Sequence, residues 1–441
     1  MIQMIKSIRV QLLPNKKQNT KLFQFAGAAR YAYNWALNTQ MDNFREGHKI
    51  QTDNDLRKEF TILRHSEGNE WLQDVSNNVT KQAIKDLCIA YKNFFRKQKQ
   101  PGYIKYSSKK IAHYNRIGKS LTVYDMNGHP KFRSKKNGDF RFYQDNVKIQ
   151  FTGTHVKLES LAGSRRKNRQ RLNWIRLAEK NRIPVRAKYT NPRIAFDGER
   201  WWLSVGIQTA RKLKPLRGLS FVCKKRRYAR SEGIGSEGIG IDLGIKDLAV
   251  LSDATKVGNI NKTRAIKRLK KKRRRLQRQV SRKYQMNKKG DSYCKTSNLI
   301  KIEKRLLRIN HRLANIRQNH THQATTAIIK RKPSFVCLED LNVRGMMKNR
   351  YLSEKIQEQN LYEFRRQIEY KARWAKIPVV IADRWYPSSK TCVICGHVKK
   401  DLNLSERTYV CPVCGNVIDR DFQAALNLKY YGEAEQMKSA S

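Results

Sequence analysis

The sequence predicts a multidomain protein that combines α+β and α/β architecture. Three observations carry that prediction. Residues 15–102 place apolar side chains at helical spacing, the stretch from Tyr103 to Arg230 breaks into short alternating runs separated by Gly, Asn and Pro, and the stretch from Ile239 to Pro387 orders strand, helix and strand around apolar runs. A chain of 441 residues with 39% hydrophobic side chains is long enough for two or three packed units, each with its own core.

Charge narrows the function. Lys and Arg number 94 against 36 Asp and Glu, a formal net charge of +58 spread along most of the chain. Self-repulsion of that size calls for a polyanionic partner, and nucleic acid is the leading one. No apolar stretch approaches the ~20 residues that a membrane-spanning helix needs, and MIQMIKSIRVQLLP lacks the small-residue cleavage site of a secretory signal. A cytoplasmic, prokaryotic protein without membrane contact is expected. Of the eight cysteines, Cys392, Cys395, Cys411 and Cys414 are clustered, and Cys88, Cys223, Cys294 and Cys337 are scattered, which suits a reducing compartment with one metal site.

In chain order, IKSIRVQLLP alternates like a strand and stops at Pro14. NKKQNTKLFQFAGAARYAYNWALNTQ and VTKQAIKDLCIAYKNFFRKQ (79–98) are amphipathic helices of one helical unit, and NVKIQFTG, THVKLESL and ERWWLSVGIQTA read as antiparallel strands. The tandem SEGIGSEGIG (231–240) is too short for a solenoid and reads as a linker at a domain boundary. IGIDLG and DLAVLSD, joined by a GIKD turn, form a strand pair. Residues 261–283 hold no acid, and with 297–331 they predict two long helices packed as a hairpin, the first of them tracking phosphates. SFVCLEDLNV and KIPVVIADRWYP, bracketing a helix at 354–375, make a β-α-β unit.

Three carboxylates carry the chemistry. Asp242 sits inside an apolar strand, flanked by Ile241 and Leu243 on the opposite face, and a charge in such a run needs a partner. Glu339 ends the run FVCLE, and Asp421 begins DFQAALNL, where it would project from the first turn of a helix. Acids from three separate elements are costly together unless they converge on cations. Hard oxygen ligands in an open site suit Mg²⁺, and two such ions roughly 4 Å apart perform phosphodiester hydrolysis. Asp247 is read as a turn residue.

The cysteines are separate chemistry. CVIC and CPVC, fifteen residues apart, have the C-x2-C-x15-C-x2-C spacing of a tetrahedral Zn²⁺ site. Four thiolates leave no position open for water, so the zinc is structural, and His397 is a spectator.

GIGIDLGIKDLAVLSD, FVCLEDLNVRGM, the RWYPSSKTCVICG entry to the four-cysteine knuckle and DRDFQAALNL resemble the TnpB family of transposon-encoded RNA-guided DNA endonucleases. RYAYNWAL, PKFRSKK and FYQDNVKI extend the resemblance over nearly the whole chain. It implies a RuvC-type, RNase H-like nuclease domain over 233–390 and 415–441 and a zinc-knuckle insert over 391–414. It also implies a β-barrel-like wedge domain from 1–14 and 103–232 and a helical recognition domain over 15–102. The family's catalytic acids fall on Asp242, Glu339 and Asp421, holding two Mg²⁺, and its zinc thiolates on Cys392, Cys395, Cys411 and Cys414. Asp419 competes with Asp421 for the third acid, and Gln423 stands where the family has Asn. The implied partners are a guide RNA from the transposon end and double-stranded target DNA beside a short flanking motif, with the protein monomeric in its ribonucleoprotein.

In this reading protein charge supplies affinity and base pairing supplies sequence choice. Trp201, Trp202, Tyr31, Tyr33 and Phe95 lie among basic residues, but none is assigned a binding role. The competing readings are a DNA transposase, a compact type V CRISPR effector and a non-cutting RNA-guided repressor.

Overall fold

The protein is described here by a computed structural model covering residues 4–135, 138, 140–159, 161, 171–209, 237–290, 292–403 and 406–440. The chain divides into two compact units, Met1–Arg211 and Lys212–Ser441. Most of the SEGIG duplication (231–236) and Cys223 lie outside the described residues.

The first unit opens with β1 (Met4–Leu13), and Pro14 ends it. Asn15 then starts α1 (Lys16–Arg45) with a capping box: its side chain accepts from the Gln18 amide at 2.8 Å, and Gln18 Oε1 accepts from the Asn15 amide at 2.9 Å. α2 (Asp53–His65), α3 (Asn77–Gln98) and α4 (Ser108–Arg116) follow. The sequence reading contained α1 and α3 but neither α2 nor α4. The reason is physical, because α2 buries only Leu56 and Phe60 and α4 buries nothing, so neither has a broad apolar stripe.

Six further strands complete the unit: β2 (Arg141–Tyr143), β3 (Gln150–Phe151), β4 (His155–Lys157), β5 (Trp174–Leu177), β6 (Lys188–Phe196) and β7 (Trp201–Thr209). With β1 they form one antiparallel sheet of seven strands in the order β2-β6-β7-β1-β5-β4-β3. The expected barrel is corrected here. Closure would require β2 to pair with β3, and among the described residues these edge strands, three and two residues long, do not pair, which leaves the described sheet open. Its core gathers Phe23, Phe25, Phe140, Phe142 and Phe196 around Trp201, which is 2% exposed and donates from Nε1 to Asn19 Oδ1 at 2.8 Å.

In the second unit β8 (Ile239–Leu243), β9 (Asp247–Leu251) and β10 (Lys256–Gly258) form an antiparallel ribbon, the strand pair expected around the GIKD turn. α5 (Arg264–Met286) and α6 (Ser297–Lys330) are the expected helical hairpin, linked by the short strands β11 (Lys288–Lys289) and β12 (Ser292–Tyr293). Ile266, Leu276, Ile309 and Leu313 form their seam. α5 buries only two side chains and leaves most of its Lys and Arg to solvent.

β13 (Val336–Glu339) lies parallel to β8, and after α7 (Val343–Met346), α8 (Ser353–Gln359) and α9 (Leu361–Ala375) the chain returns as β14 (Val379–Ala382), parallel to β13. The helix predicted at 354–375 is thus two helices, broken at Asn360, whose left-handed backbone (φ 55°) a β-branched residue would resist. The strand order is β10-β9-β8-β13-β14. The chain ends with the hairpin β15 (Thr408–Val410) and β16 (Val417–Asp419) and with α10 (Arg420–Ala440). Ile239, Ile241, Val336 and Leu338 face α6 and α9, while Phe335 and Cys337 pack with Leu428 of α10 on the other face, so the sheet lies between two helical layers. No helix among the described residues is long and apolar enough to cross a membrane.

Candidate active site and metal centre

Strand alternation decides which way the acids point. Ile239, Ile241 and Leu243 enter the core on one face, so Gly240 and Asp242 belong to the other. The parallel register pairs Cys337 with Gly240 and Leu338 with Ile241, which puts Glu339 beside Asp242 at the same strand ends. The helix crossing that face is α10. A Cβ on Gly240 would stand 2.1 Å from the Ala425 carbonyl oxygen and 2.4 Å from the Lys429 nitrogen, so only glycine admits the helix this close. The first turn of α10 carries Asp421.

The DRD triplet divides its two acids between tasks. Asp419 Oδ1 accepts from the amides of Asp421 at 3.0 Å and Phe422 at 3.1 Å, capping the helix, and its Oδ2 accepts from Lys256 Nζ at 2.9 Å. Asp421 instead has the guanidinium groups of Arg420 at 3.7 Å and Arg407 at 3.8 Å from its Oδ1.

Burial, then the charges of Glu339 and Asp421, push the Asp242 carboxyl well above the usual carboxylate range, with Arg420 opposing. Burial also raises Glu339, against the hydrogen bond that Ser388 Oγ donates to its Oε1. Three acids from β8, β13 and α10 therefore share one electrostatic neighbourhood. They are set more loosely than the cysteines, which are the described group whose ligand atoms all lie within 4.8 Å of one another. The donor set fits divalent cations, since mutually repelling carboxylates at neighbouring strand ends are relieved by positive charge.

The four cysteines occupy two like turns. Gly396 and Gly415 follow Cys395 and Cys414 with φ of 74° and 71°, and their amides donate to the carbonyls of Cys392 at 3.0 Å and Cys411 at 3.1 Å. Sulfur atoms lie 3.6 Å apart for Cys392 and Cys414 and 3.5 Å apart for Cys395 and Cys411. The backbone amide of Cys414, helped by that of Val413, lowers the Cys411 thiol, while Cys414, against its backbone hydrogen bond at Asn416, is pushed up by burial and the neighbouring cysteines, so the four share charge that a bound cation would relieve. Four thiols at these separations suit a tetrahedral zinc site. His397 enters through its backbone, accepting from the Cys392 amide at 2.8 Å.

Zinc turn and acid are physically joined. The 411–414 turn is the tip of the hairpin in which Val410 pairs with Val417 and Thr408 with Asp419, and β16 runs directly into α10. Two residues that sequence reasoning missed tie the other end. Asn427 Nδ2 donates to the carbonyls of Ser388 and Thr391, and Ser388 holds Glu339. The only sequence signal was their position in RWYPSSKTC and in the polar break of QAALNL. Gln423 is 0% exposed and reaches Ser389 O at 3.5 Å.

Of the aromatics, Trp201 and Tyr33 are core. Trp202 donates to Asp197 and lies under Arg9, Phe95 is 40% exposed and stacked on Tyr91, and Tyr31 is half-buried.

Family models match "Helix-turn-helix domain" over 1–49, "Probable transposase" of the IS605 OrfB type over 221–350 and "Cas12f1-like, TNB domain" over 362–428, together more than half of the chain. The chain is 26% identical to "Putative RNA-guided DNA endonuclease InsQ" of Escherichia coli (strain K12), over 98% of its own length and 93% of that protein. It is 26% identical to "Putative RNA-guided DNA endonuclease" of Streptomyces pristinaespiralis, over 98% of its own length and 91% of that protein. Among solved structures, "Structure of the mini-RNA-guided endonuclease CRISPR-Cas_phi3" covers 97% of this chain and 92% of that one at 10% identity and a TM-score of 0.43. Matched end to end by these relatives and along most of its motifs by the three family models, the chain belongs to the TnpB family, the IS605 OrfB proteins.

Proposed function

We propose that this protein is a transposon-encoded, RNA-guided DNA endonuclease that cuts double-stranded DNA beside a short flanking motif. One observation carries the proposal: Asp242 and Glu339, on adjacent parallel strands, face the helix whose first turn bears Asp421. The order β10-β9-β8-β13-β14, with the first three strands antiparallel and the last two parallel to β8, is the order expected of an RNase H-like, RuvC-type core and supports that assignment. The nuclease domain would comprise 233–390 and 415–441, with 391–414 as a zinc-holding insert. Residues 15–102 would form the recognition domain, and 1–14 with 103–232, a range that runs past the end of the first unit at Arg211, the wedge domain.

Asp242, Glu339 and Asp421 would hold two Mg²⁺ ions, which when bound supply an activated water and charge for the leaving oxygen. The residues do the rest. Ser388 orients Glu339 through Oε1, and Gly240 lets α10 bring Asp421 to the strand ends. Arg407 and Arg420 add positive charge beside Asp421, where a DNA phosphate would approach. Cys392, Cys395, Cys411 and Cys414 would hold one Zn²⁺ that fixes the hairpin leading into Asp421. The exposed cations of α5 would bind the RNA scaffold through its phosphates.

The test is an Asp242→Ala variant purified with its RNA. Matched double-stranded DNA should still bind and should no longer be cut; undiminished cutting would remove Asp242 from the site. Joined transposon ends made by the parent protein would point to a transposase, and a repeat-array RNA in the purified complex to a CRISPR effector.

A further inference from the structure

The middle of α1 is built around a glycine that the chain itself does not require. Gly27 lies within a thirty-residue helix, and a Cβ added to it would meet nothing within 4 Å. Glycine weakens a helix interior relative to alanine, so neither packing nor backbone conformation accounts for it. The space it leaves opens into a cavity of about 610 Å³ lined by α1 and the 71–74 turn. That volume lies within the range that accepts a small organic group.

Its walls are aromatic and charged. Tyr31, Trp35 and Trp71 line it, with Tyr31 and Trp71 edge to face at 5.5 Å, and Trp71 is 43% exposed with no core role. Arg30 lines it too, and its Nη1 is buried without a hydrogen-bond partner. Asp74 stands at the same cavity as an acceptor. A guanidinium suits a phosphate, a carboxylate suits the N–H groups on a base edge, and rings accept a base face.

We infer that this cavity takes one unstacked nucleobase, with its ring against Trp71 or its aromatic neighbours and its phosphate toward Arg30. The inference rests on the proposed nucleic-acid function and adds to it a site outside the nuclease unit. The base comes from the bound RNA or from the DNA.

The experiment uses the full chain with its co-purified RNA and a matched DNA duplex, crosslinked by short-wavelength ultraviolet light and analysed by mass spectrometry. A ribonucleotide adduct on the peptides holding Tyr31 or Trp71 identifies RNA as the source, and a deoxyribonucleotide adduct identifies DNA. Gly27→Leu, which projects a side chain into the cavity beside Tyr31 and Trp71, should melt no lower than the parent yet lose the adduct and bind the source strand about 5- to 150-fold more weakly, the range of one base stack. Trp71→Ala should weaken binding without lowering the melting temperature. A folded Gly27→Leu protein that binds RNA and DNA as the parent does would overturn the site while leaving the proposed function standing. A parent protein that binds neither RNA nor DNA would remove that function, and this site with it.

Discussion

Asn427 of α10 donates from one amide nitrogen to the carbonyl oxygens of Ser388 and Thr391, each at 2.7 Å, and so holds the segment that enters the cysteine knuckle against the helix that carries Asp421. Ser388 in turn hydrogen-bonds Glu339. One buried amide thus couples two of the three acids to the path into the knuckle. Asn427→Leu should leave two carbonyls unpaired and cost about 1–3 kcal/mol. Urea unfolding measures that loss. DNA cutting should fall more than DNA binding, and equal falls in both would mean that Asn427 supports the fold without positioning the acids.

Gly240→Ala tests the close approach of α10. The added methyl would stand 2.1 Å from the Ala425 carbonyl, so the helix must shift, and overpacking of this kind costs about 1–3 kcal/mol. Reduced cutting with intact RNA binding is the expected outcome. A variant that melts and cuts like the parent would show that the helix does not set the acid geometry.

The Asp242 carboxyl lies above the usual range because it is buried and faces Glu339 and Asp421. Without added Mg²⁺ the folded protein therefore retains a proton that the unfolded chain releases. Stability must then fall as pH rises from the unfolded carboxylate value up through the folded one. Thermal melts between pH 5 and pH 8, in buffer free of Mg²⁺ but with zinc retained, should show this decline. Asp242→Asn should flatten it, and added Mg²⁺ should raise the melting temperature of the parent more than that of the variant. An unchanged pH slope in Asp242→Asn would place the titrating group elsewhere.

The thiols predict a metal content. Elemental analysis should find about one zinc per chain, since four thiolates complete one tetrahedral site. Cys411→Ser should lower that content and loosen the 408–419 hairpin, seen as faster proteolysis there, with loss of cutting because β16 leads into Asp421. Full zinc occupancy and full cutting in that variant would separate the knuckle from the active site.

Much of the second unit was legible because its signals are local. Alternation around Asp242 identifies a strand with a charged face, and C-x2-C spacing is set by the reach of one turn. Signals failed where burial was slight or backbone conformation was the message: α2 and α4 bury too little to show a stripe, and the break at Asn360 depends on a left-handed backbone within a helical pattern. The barrel expectation failed because edge pairing is a non-local property that alternating runs do not encode.

By itself the sequence determined the charge that calls for a polyanionic partner, many of the strand and helix periods and the four thiols, all of which follow from composition or from spacing along one element; the choice of the three acids rested on the family resemblance. Only tertiary structure decided that Asp419 caps α10 while Asp421 stands within electrostatic reach of Asp242, that Gly240 admits the helix, and that Ser388 and Asn427 tie Glu339 to α10. Those relationships join residues many positions apart, and they exist only once packing has brought their backbones within hydrogen-bonding reach.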